Sequence, residues 1–403
     1  MKISSRHLAV FSIALAISTN AADWPCWRGS EGNGISKETG WTTKWPADGP
    51  KRLWTAKVGI GFASFSVSIG KVYTTGNTDN TDAIFCFDAN TGAEVWKHSY
   101  PEKLDPKYYE GGTSATPTVD GDRVYSLSKA GMLHCLDAAK GTVIWSKDVA
   151  KELKAKLPTW GFAGSVFIEG DFALLNVGTA GAALDKKTGK VIWSSGPEEA
   201  GYSTPMTFDL RGERCVALAG KQDIFTVRLK DGKELWRHPW KTQYDVNAAD
   251  PIVSGTMMFI GSGYGHGCAA LDMSSTPPKV VWENKNLRTH TSPAVLIGGF
   301  LYGADDDCYK ADATFRCVDL KTGAVKWSEK TGFVTLMAAD GKLIALTARG
   351  ELLVVEPTPE AFKAVARAQV IGGKCWTTPV LANGRIYCRN AAGEVVCLDV
   401  NRN

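Results

Sequence analysis

The chain has 403 residues, of which 44% are hydrophobic and 22% charged, an ordinary composition for a globular protein. Its 46 basic and 42 acidic residues leave a formal net charge of +4, and no block of lysine or arginine stands out, so nothing indicates nucleic-acid binding. The 42 glycines and 14 tryptophans are many, and glycine-rich turns with periodic aromatic residues are typical of many-stranded β folds.

Residues 1–22 resemble a secretory signal peptide. A basic start is followed by a short apolar core at 8–17 and then by small residues, so we expect cleavage after Ala21 or Ala22. Ten residues are too few to span a bilayer, and no other apolar stretch comes near the necessary length. We therefore predict a periplasmic or secreted protein without a membrane span, comprising residues 23–403.

One pattern recurs along the mature chain: a small residue, any residue, Asp, a short stretch, Gly, and an apolar run that ends in Trp. Clear copies occupy 86–96, 135–145, 183–193 and 317–327, and weaker ones 226–236 and 270–282. The aromatic column comprises Trp54, Trp96, Trp145, Trp193, Trp236, Trp282, Trp327 and Phe362. The Asp column comprises Asp88, Asp137, Asp185, Arg228, Asp272, Asp319, Glu356 and Asp399. Eight positions in each column predict eight repeats.

Each repeat has the features of four strands. The Asp side chain accepts hydrogen bonds in a tight turn, and the Gly supplies a positive φ, so the pattern predicts the turn between a third and a fourth strand. Two further apolar runs joined by a turn precede it, as at 116–127, 292–303 and 378–388. Four strands per repeat predict the blade of a β-propeller. We find no helical period beyond a possible turn at 359–367.

The two ends of the chain complete the count of blades. Trp54 has no Asp half before it, and Cys397 and Asp399 have no Trp half after them. We therefore predict an all-β, eight-bladed propeller whose last blade takes strands from both termini, because closure leaves few open sheet edges.

The repeated Ala/Cys-x-Asp-x-x-x-Gly-x-x-x-Trp pattern resembles the tryptophan-docking motif of bacterial pyrroloquinoline-quinone (PQQ)-type propellers, over residues 24–400. The resemblance implies that each of the seven tryptophans docks on the small residue of a neighbouring repeat. Four cysteines fall in that small-residue column, and we interpret them as core packing: Cys86, Cys135, Cys317 and Cys397.

A disulfide is a second possibility for one of these cysteines. Cys388 and Cys397 lie on the second and third strands of the last blade, and directly opposite residues in such a pair can be within bridging distance. The alternative is that Cys397 serves only the packing column.

The resemblance covers two functional classes. Quinoprotein alcohol dehydrogenases hold PQQ and Ca²⁺ at the propeller axis, whereas the BamB-like propeller of outer-membrane assembly binds no cofactor and acts as a scaffold. This chain lacks the adjacent Cys-Cys pair typical of those dehydrogenases. It also has an acidic cluster at 305–307 and Asp312, without EF-hand spacing, that we interpret as a solvated loop rather than a metal site.

Residues just before each inner strand should ring the mouth of the axis. They form our candidate axial ligand site: Tyr109, Glu110, Trp160, Tyr202, Asn247, Asp250, Arg288, His290, Lys374 and Trp376. In a quinoprotein the two tryptophans would stack on PQQ, and Asn247 and Asp250 would offer oxygens to Ca²⁺. Arg288 or Lys374 would supply a cation for the carboxylates of the quinone. We expect instead a water-filled funnel in which Asp250 and His290 bond to neighbouring groups.

The sequence therefore predicts an exported, monomeric, non-catalytic propeller that binds or scaffolds an unknown protein or small-molecule partner. No cofactor, metal or catalytic residue is expected. The alternative is a small PQQ-dependent dehydrogenase with Ca²⁺. A second alternative, a carbohydrate- or peptide-binding propeller, fits the aromatic residues at the mouth.

Overall fold

The computed structural model describes residues 22–309 and 312–401, so the predicted signal peptide lies outside the described residues except for Ala22. Eight sheets, each built on four antiparallel strands, form the blades of a β-propeller, as the repeats predict, and one of them gains a short fifth strand. In seven blades the strands run from the innermost to the outermost in chain order.

The strands of the first four blades are short at the axis and longer further out. Blade 1 comprises Ser66–Ser68, Lys71–Thr78, Thr81–Asp88 and Glu94–Pro101. Blade 2 comprises Thr118–Asp120, Arg123–Leu127, Met132–Asp137 and Val143–Asp148. Blade 3 comprises Phe167–Glu169, Phe172–Leu175, Ala182–Asp185 and Val191–Ser194. Blade 4 comprises Met206–Leu210, Glu213–Ala219, Asp223–Arg228 and Glu234–Pro239.

The remaining blades also have four strands each, and blade 8 is the one whose outer strand comes from the N-terminal part of the chain. Blade 5 comprises Ile252–Ser254, Met257–Ser262, Gly267–Asp272 and Lys279–Asn284. Blade 6 comprises Val295–Ile297, Phe300–Asp305, Thr314–Asp319 and Val325–Glu329. Blade 7 comprises Val334–Ala339, Lys342–Thr347, Glu351–Val355 and Ala364–Gln369. Blade 8 comprises Val380–Ala382, Arg385–Arg389, Glu394–Asp399 and, as its outer strand, Arg52–Lys57.

The repeated pattern forms the predicted turn. Asp88 Oδ1 accepts the backbone N–H groups of Asn90 at 3.0 Å and Thr91 at 2.9 Å. Gly92 has a φ of +71°, and a Cβ on it would lie 2.6 Å from the ring of Trp54 in the preceding blade. The same turn recurs at Asp137, Asp185 and Asp319.

The docking tryptophans contact the neighbouring blade in a way the resemblance did not imply. Five of the rings, those of Trp54, Trp96, Trp145, Trp193 and Trp282, lie on the turn glycine of the next blade. The small residue of the pattern faces the Trp of its own blade, as Cys86 faces Trp96. Six indole N–H groups donate to the next blade: Trp54 to Ala89 O, Trp96 to Ala138 O, Trp145 to Lys186 O, Trp193 to Leu229 O, Trp282 to Leu320 O and Trp327 to Thr358 O.

Trp236 is the exception. Its indole N–H has no hydrogen-bond partner among the described residues. The corresponding acceptor in blade 5, the carbonyl of Met273, accepts from Arg211 Nη2 at 2.8 Å instead.

The ring closes as predicted. Arg52–Lys57 pairs antiparallel with Glu394–Asp399, and Trp54 lies opposite Cys397. Arg389 of blade 8 is fully buried and donates to the carbonyls of Ala63 at 3.1 Å and Thr75 at 2.7 Å in the neighbouring blade 1. Desolvation lowers its pKa to about 9, so the closing junction carries a costly but well-bonded guanidinium.

The disulfide hypothesis is wrong. Cys388 lies opposite Val396, not Cys397, so the two cysteines are out of register by one residue and point to opposite faces of the sheet. All ten cysteines are free thiols.

The possible helical turn at 359–367 is also wrong, because its C-terminal half begins the strand Ala364–Gln369. Among the described residues, the one α-helix is the single turn Val149–Glu152, capped by the side chain of Asp148. Across 22–309 and 312–401, no helix is long and apolar enough to cross a membrane.

The segment that precedes the first blade crosses the axis, and we call residues 24–36 the N-terminal plug. Trp24 pairs with the inner strand of blade 1. The carbonyl of Pro25 accepts a hydrogen bond from the backbone N–H of Val119, in the inner strand of blade 2. Arg28 donates to the inner-strand end of blade 6, and Ile35–Ser36 adds a parallel strand to blade 7. The plug therefore fills one end of the channel between the inner strands.

Candidate functional site

A cavity of about 790 Å³ opens at the mouth where the loops enter the inner strands, and we call it the axial funnel. Its volume lies in the range of small-molecule sites, roughly 300–1,000 Å³. Ten Phe, Tyr and Trp rings and the imidazole of His290 contribute to its wall and floor. The ten are Trp27, Phe62, Tyr108, Tyr109, Trp160, Tyr202, Tyr244, Tyr264, Tyr309 and Trp376.

Seven rings contact one another in sequence around most of this wall, and we call them the aromatic belt. The order is Tyr244, Tyr264, His290, Tyr309, Trp376, Phe62 and Tyr109, with ring centroids 4.9, 4.8, 5.1, 3.6, 5.8 and 5.6 Å apart. Trp160 and Tyr202 form a separate edge-to-face pair at 6.0 Å. Such geometries are the favoured ones for aromatic pairs and hold the wall in place.

Beneath the rings, hydroxyl groups link one blade to the next. The backbone N–H of Ser64 donates to Thr116 Oγ1 at 3.0 Å, and that of Thr116 to Ser165 Oγ at 2.9 Å. The N–H of Ser165 donates to Thr204 Oγ1 at 3.0 Å, and that of Thr204 to Asp250 Oδ1 at 2.7 Å. Asp250 of blade 5 thus stands where blades 2 to 4 carry Ser or Thr.

The extra charge of Asp250 faces the N-terminal plug. Its Oδ2 accepts from the indole of Trp27 at 2.6 Å and lies 3.8 Å from Arg28 Nε. Burial raises the pKa of Asp250, and the Coulombic attraction of Arg28 and the hydrogen bonds from Trp27 and Thr204 oppose that rise. Arg28 also donates to the carbonyls of Gly32 and Ala294, both at 3.0 Å. The carboxylate therefore anchors the plug and the floor of the funnel.

The structure brings six of the ten predicted site residues to the wall of the funnel. These six are Tyr109, Trp160, Tyr202, Asp250, His290 and Trp376. The other four, which do not line it, are Glu110, Asn247, Arg288 and Lys374.

The four residues off the wall are engaged elsewhere. Asn247 Nδ2 donates to the carbonyl of Trp240 at 2.8 Å, and its Oδ1 accepts from a serine hydroxyl. Lys374 lies 2.6 Å from Glu110, and its ammonium group sits 4.3 Å from the ring centroid of Trp376. Arg288 pairs with Asp305, as described below.

His290 behaves as a neutral aromatic side chain. It is 4% exposed, and desolvation lowers its pKa to about 4. Its ring contacts Tyr264 and Tyr309 edge to face. Asp250 bonds to its neighbours as expected, but the same expectation for His290 fails at Nδ1, which has no hydrogen-bond partner within the described parts of the chain.

The interpretation of the acidic cluster as a solvated loop is wrong for Asp305 and Asp306, which are buried, whereas Asp307 is half-buried and Asp312 is exposed. Asp305 is 2% exposed and lies 2.8 Å from Arg288 Nη2 and 2.9 Å from Arg316 Nη1. These pairs neutralise the carboxylate inside blade 6. Among the described residues, no group of three or more His, Cys, Asp or Glu side chains is placed to hold a metal ion.

The cation and oxygen set proposed for PQQ with Ca²⁺ is not assembled in the funnel. A multiply anionic quinone needs cations at its carboxylates, and Ca²⁺ needs six to eight convergent oxygens. The proposed cations Arg288 and Lys374 are paired with acids away from the wall. The proposed oxygens of Asn247 and Asp250 are engaged by Ser262 and by the plug.

Sequence reasoning missed several rings of the funnel. Phe62 and Tyr244 lie in loops before inner strands, and a longer window there would have included them. Trp27 belongs to the plug, which carried no sign of its place at the axis. Tyr264 and Tyr309 lie in turns between second and third strands, and only the fold shows that these turns reach the funnel.

The fold and the repeats define a PQQ-type eight-bladed β-propeller. The family model described as outer membrane protein assembly factor BamB matches residues 80–329, more than half of the chain, and the protein belongs to that family. No curated protein matches the chain in sequence.

Solved structures of two functional kinds share the fold. BamB from Moraxella catarrhalis matches with a TM-score of 0.63 and 14% identity, over 88% of this chain and 98% of that one. A quinohemoprotein alcohol dehydrogenase from Comamonas testosteroni matches with a TM-score of 0.67 and 14% identity, over 95% of this chain and 81% of that one. A europium-containing methanol dehydrogenase matches with a TM-score of 0.69 and 13% identity, over 91% of this chain and 89% of that one. At these identities the likeness concerns the fold alone.

Proposed function

We propose that this protein is an exported, non-catalytic propeller that binds a ligand in its axial funnel. The observation that carries the proposal is the aromatic belt around a cavity of about 790 Å³. Concave sites with many apolar and aromatic groups and a few fixed polar groups are the usual form of a small-molecule site.

The chemistry of the funnel favours binding over catalysis. His290, the histidine on its wall, has a pKa of about 4 and an apolar aromatic setting, so it is a poor proton acceptor near neutral pH. Asp250 is engaged by Trp27, Arg28 and Thr204 and is not available as a base or nucleophile. These two residues were the strongest candidates for acid–base chemistry at the axis.

A protein partner at the same mouth is the second candidate. Tyr108 is 99% exposed and Tyr244 is 54% exposed, and both stand at the rim of the funnel. Exposed tyrosines are common anchors of protein interfaces. The partner would then cover the funnel rather than fill it.

The test uses Cys308, which lines the funnel and is the one cysteine of the ten that is not buried. Purified protein is screened with panels of neutral sugars, amino acids, short peptides and organic cations, and alkylation of Cys308 by iodoacetamide is followed by mass spectrometry. A funnel ligand should slow the alkylation and raise the Tm. If no compound slows it, the ligand-binding proposal is wrong.

A parallel titration with PQQ and Ca²⁺ tests the dehydrogenase alternative. We expect no saturable protection of Cys308 and no dye-linked alcohol oxidation. Protection with a stoichiometric end point, together with oxidation of an alcohol, would replace the binding proposal by the enzyme.

A further inference from the structure

We propose that the ligand of the axial funnel is a neutral saccharide that stacks on Trp160 and hydrogen-bonds to the phenols of the aromatic belt. This inference rests on the proposed function, that the funnel binds a ligand. It adds the chemical class of that ligand and the platform that receives it.

The charges around the funnel favour a neutral ligand. Lys107 at the wall lies 3.4 Å from Asp105. Asp245 lies 3.7 Å from Lys221 Nζ and accepts from Gln222 Nε2 at 2.8 Å. Asp250 is held by Trp27 and Arg28 of the plug. Every charged group of the wall thus has a protein partner, so neither a polyanion nor a cation finds an uncompensated counter-charge there.

The phenols of the funnel, those of the aromatic belt and that of Tyr202, suit hydroxyl groups of a ligand. Burial raises the pKa of Tyr109 to about 12 and raises the pKa values of Tyr202, Tyr264 and Tyr309 above their ordinary value. These phenols stay protonated, and a phenol both donates and accepts a hydrogen bond. A sugar hydroxyl does the same, so each can satisfy the other without a charged group.

The rings supply the other half of saccharide recognition. A pyranose has an apolar face of C–H groups and an edge of hydroxyls, so it needs a flat apolar platform beside polar groups. Trp376 cannot be that platform, because Tyr309 stacks at 3.6 Å and Lys374 lies 4.3 Å from its centroid. Trp160 contacts the ring of Tyr202 edge to face, and among the described residues no ring stacks on its face.

The alternative of a peptide segment fits less well. An extended peptide gains most of its affinity by pairing its backbone with a free strand edge. At this axis the plug already uses inner-strand groups of blades 1, 2 and 7, and the open wall consists of side chains. The saccharide is therefore the better match to the surfaces that remain.

The experiment measures binding of short neutral oligosaccharides of glucose, mannose, galactose, xylose or N-acetylglucosamine to the full chain by calorimetry, with Cys308 alkylation as the readout of place. We expect at least one series to bind, to protect Cys308, and to lose about tenfold or more in affinity in Trp160→Ala. Trp45→Ala is the matched control, since Trp45 is also half-buried but lies outside the funnel.

The outcomes separate this inference from the function on which it rests. Peptides or organic cations that protect Cys308 when no saccharide does would overturn the saccharide and leave the ligand-binding funnel in place. If a saccharide binds Trp160→Ala as tightly as the unaltered protein and does not slow the alkylation of Cys308, its site lies outside the funnel. That result would also overturn the inference. If no class of compound protects Cys308, both proposals fail. The far-UV circular dichroism spectrum and the Tm of Trp160→Ala should match those of the unaltered protein. A loss of binding can then be assigned to the missing ring and not to unfolding.

Discussion

The indole N–H of Trp27 donates to Asp250 Oδ2 over 2.6 Å, across a separation of 223 residues. This contact ties the N-terminal plug to the entrance of blade 5, where a carboxylate takes the place of the hydroxyl that blades 2 to 4 carry. Arg28 lies beside it, 3.8 Å away, with its side chain 6% exposed. The floor of the funnel is therefore made by a segment that precedes every blade in the chain.

Asp250→Asn should destabilise the protein strongly. The amide keeps the shape of the carboxylate but leaves the guanidinium of Arg28 buried without a counter-charge, and such changes cost about 3–5 kcal/mol. The free energy of unfolding in urea is the measurement. The double variant Asp250→Asn/Arg28→Met removes both charges and should recover a large part of the loss. Equal stability of Asp250→Asn and the unaltered protein would contradict the role of the ion pair.

Trp193→Phe should cost more stability than Trp236→Phe. Both rings are buried, but the indole of Trp193 donates to Leu229 O at 2.7 Å, whereas that of Trp236 has no partner among the described residues. Phe keeps most of the ring and removes the N–H, so we expect a difference of about 1 kcal/mol in the free energy of unfolding. The two variants control for each other. A larger loss at Trp236 would contradict the assigned hydrogen bonds.

The protein should lose stability as the pH falls from about 6.5 to about 4. His134 and His290 are buried, and desolvation lowers the pKa of each to about 4. In that window the unfolded chain binds more protons than the folded one, so stability rises with pH by up to about 1.4 kcal/mol per unit for each histidine. His290→Asn should flatten the slope measured by urea unfolding across this range. An unchanged slope would mean that His290 is not held neutral.

Native protein should offer one rapidly reacting thiol, that of Cys308. The other nine cysteines are buried, and burial raises the pKa of Cys26, for example, to about 12, which disfavours the reactive thiolate. Titration with a chromogenic disulfide should detect one fast thiol in the native state and ten after unfolding. Fewer than ten in denaturant would point to a disulfide. Cys308→Ser is the control and should remove the fast phase.

A mature chain that begins at Ala22 should be more stable than one that begins at Asp23. The nitrogen of Ala22 lies 3.3 Å from Glu38 Oε2, a carboxylate that also accepts from the backbone of Asn383 and Gly384. Cleavage after Ala21 would turn that nitrogen into an ammonium group beside a buried carboxylate, and a charged hydrogen bond contributes about 1–3 kcal/mol.

Thermal unfolding of the two trimmed chains measures this difference, and Glu38→Gln should reduce it. Intact mass of protein from its native host would show which cleavage site is used. A start at neither Ala22 nor Asp23 would contradict the predicted signal peptide.

The sequence by itself determined the number of blades, the strands in each and the closure of the ring. That information is local and repeated: an Asp that accepts from the next two or three backbone N–H groups, a Gly with positive φ, and a Trp at a fixed distance. Eight copies make one misread copy harmless, as Arg228 and Glu356 show in the Asp column. The half-repeat that ends at Trp54 and the half-repeat that ends at Asp399 each lack what the other supplies, so together they indicate one closing blade.

Only the tertiary structure decided which side chains meet at the axis. The loops before the inner strands converge there, so the local rule found Tyr109, Trp160 and Trp376. It could not tell that Lys374 turns away to Glu110, because an ion pair across two loops has no sequence period. Nor could it place Trp27 or Tyr309, since the path of the plug and the reach of a turn depend on packing between elements distant in the chain.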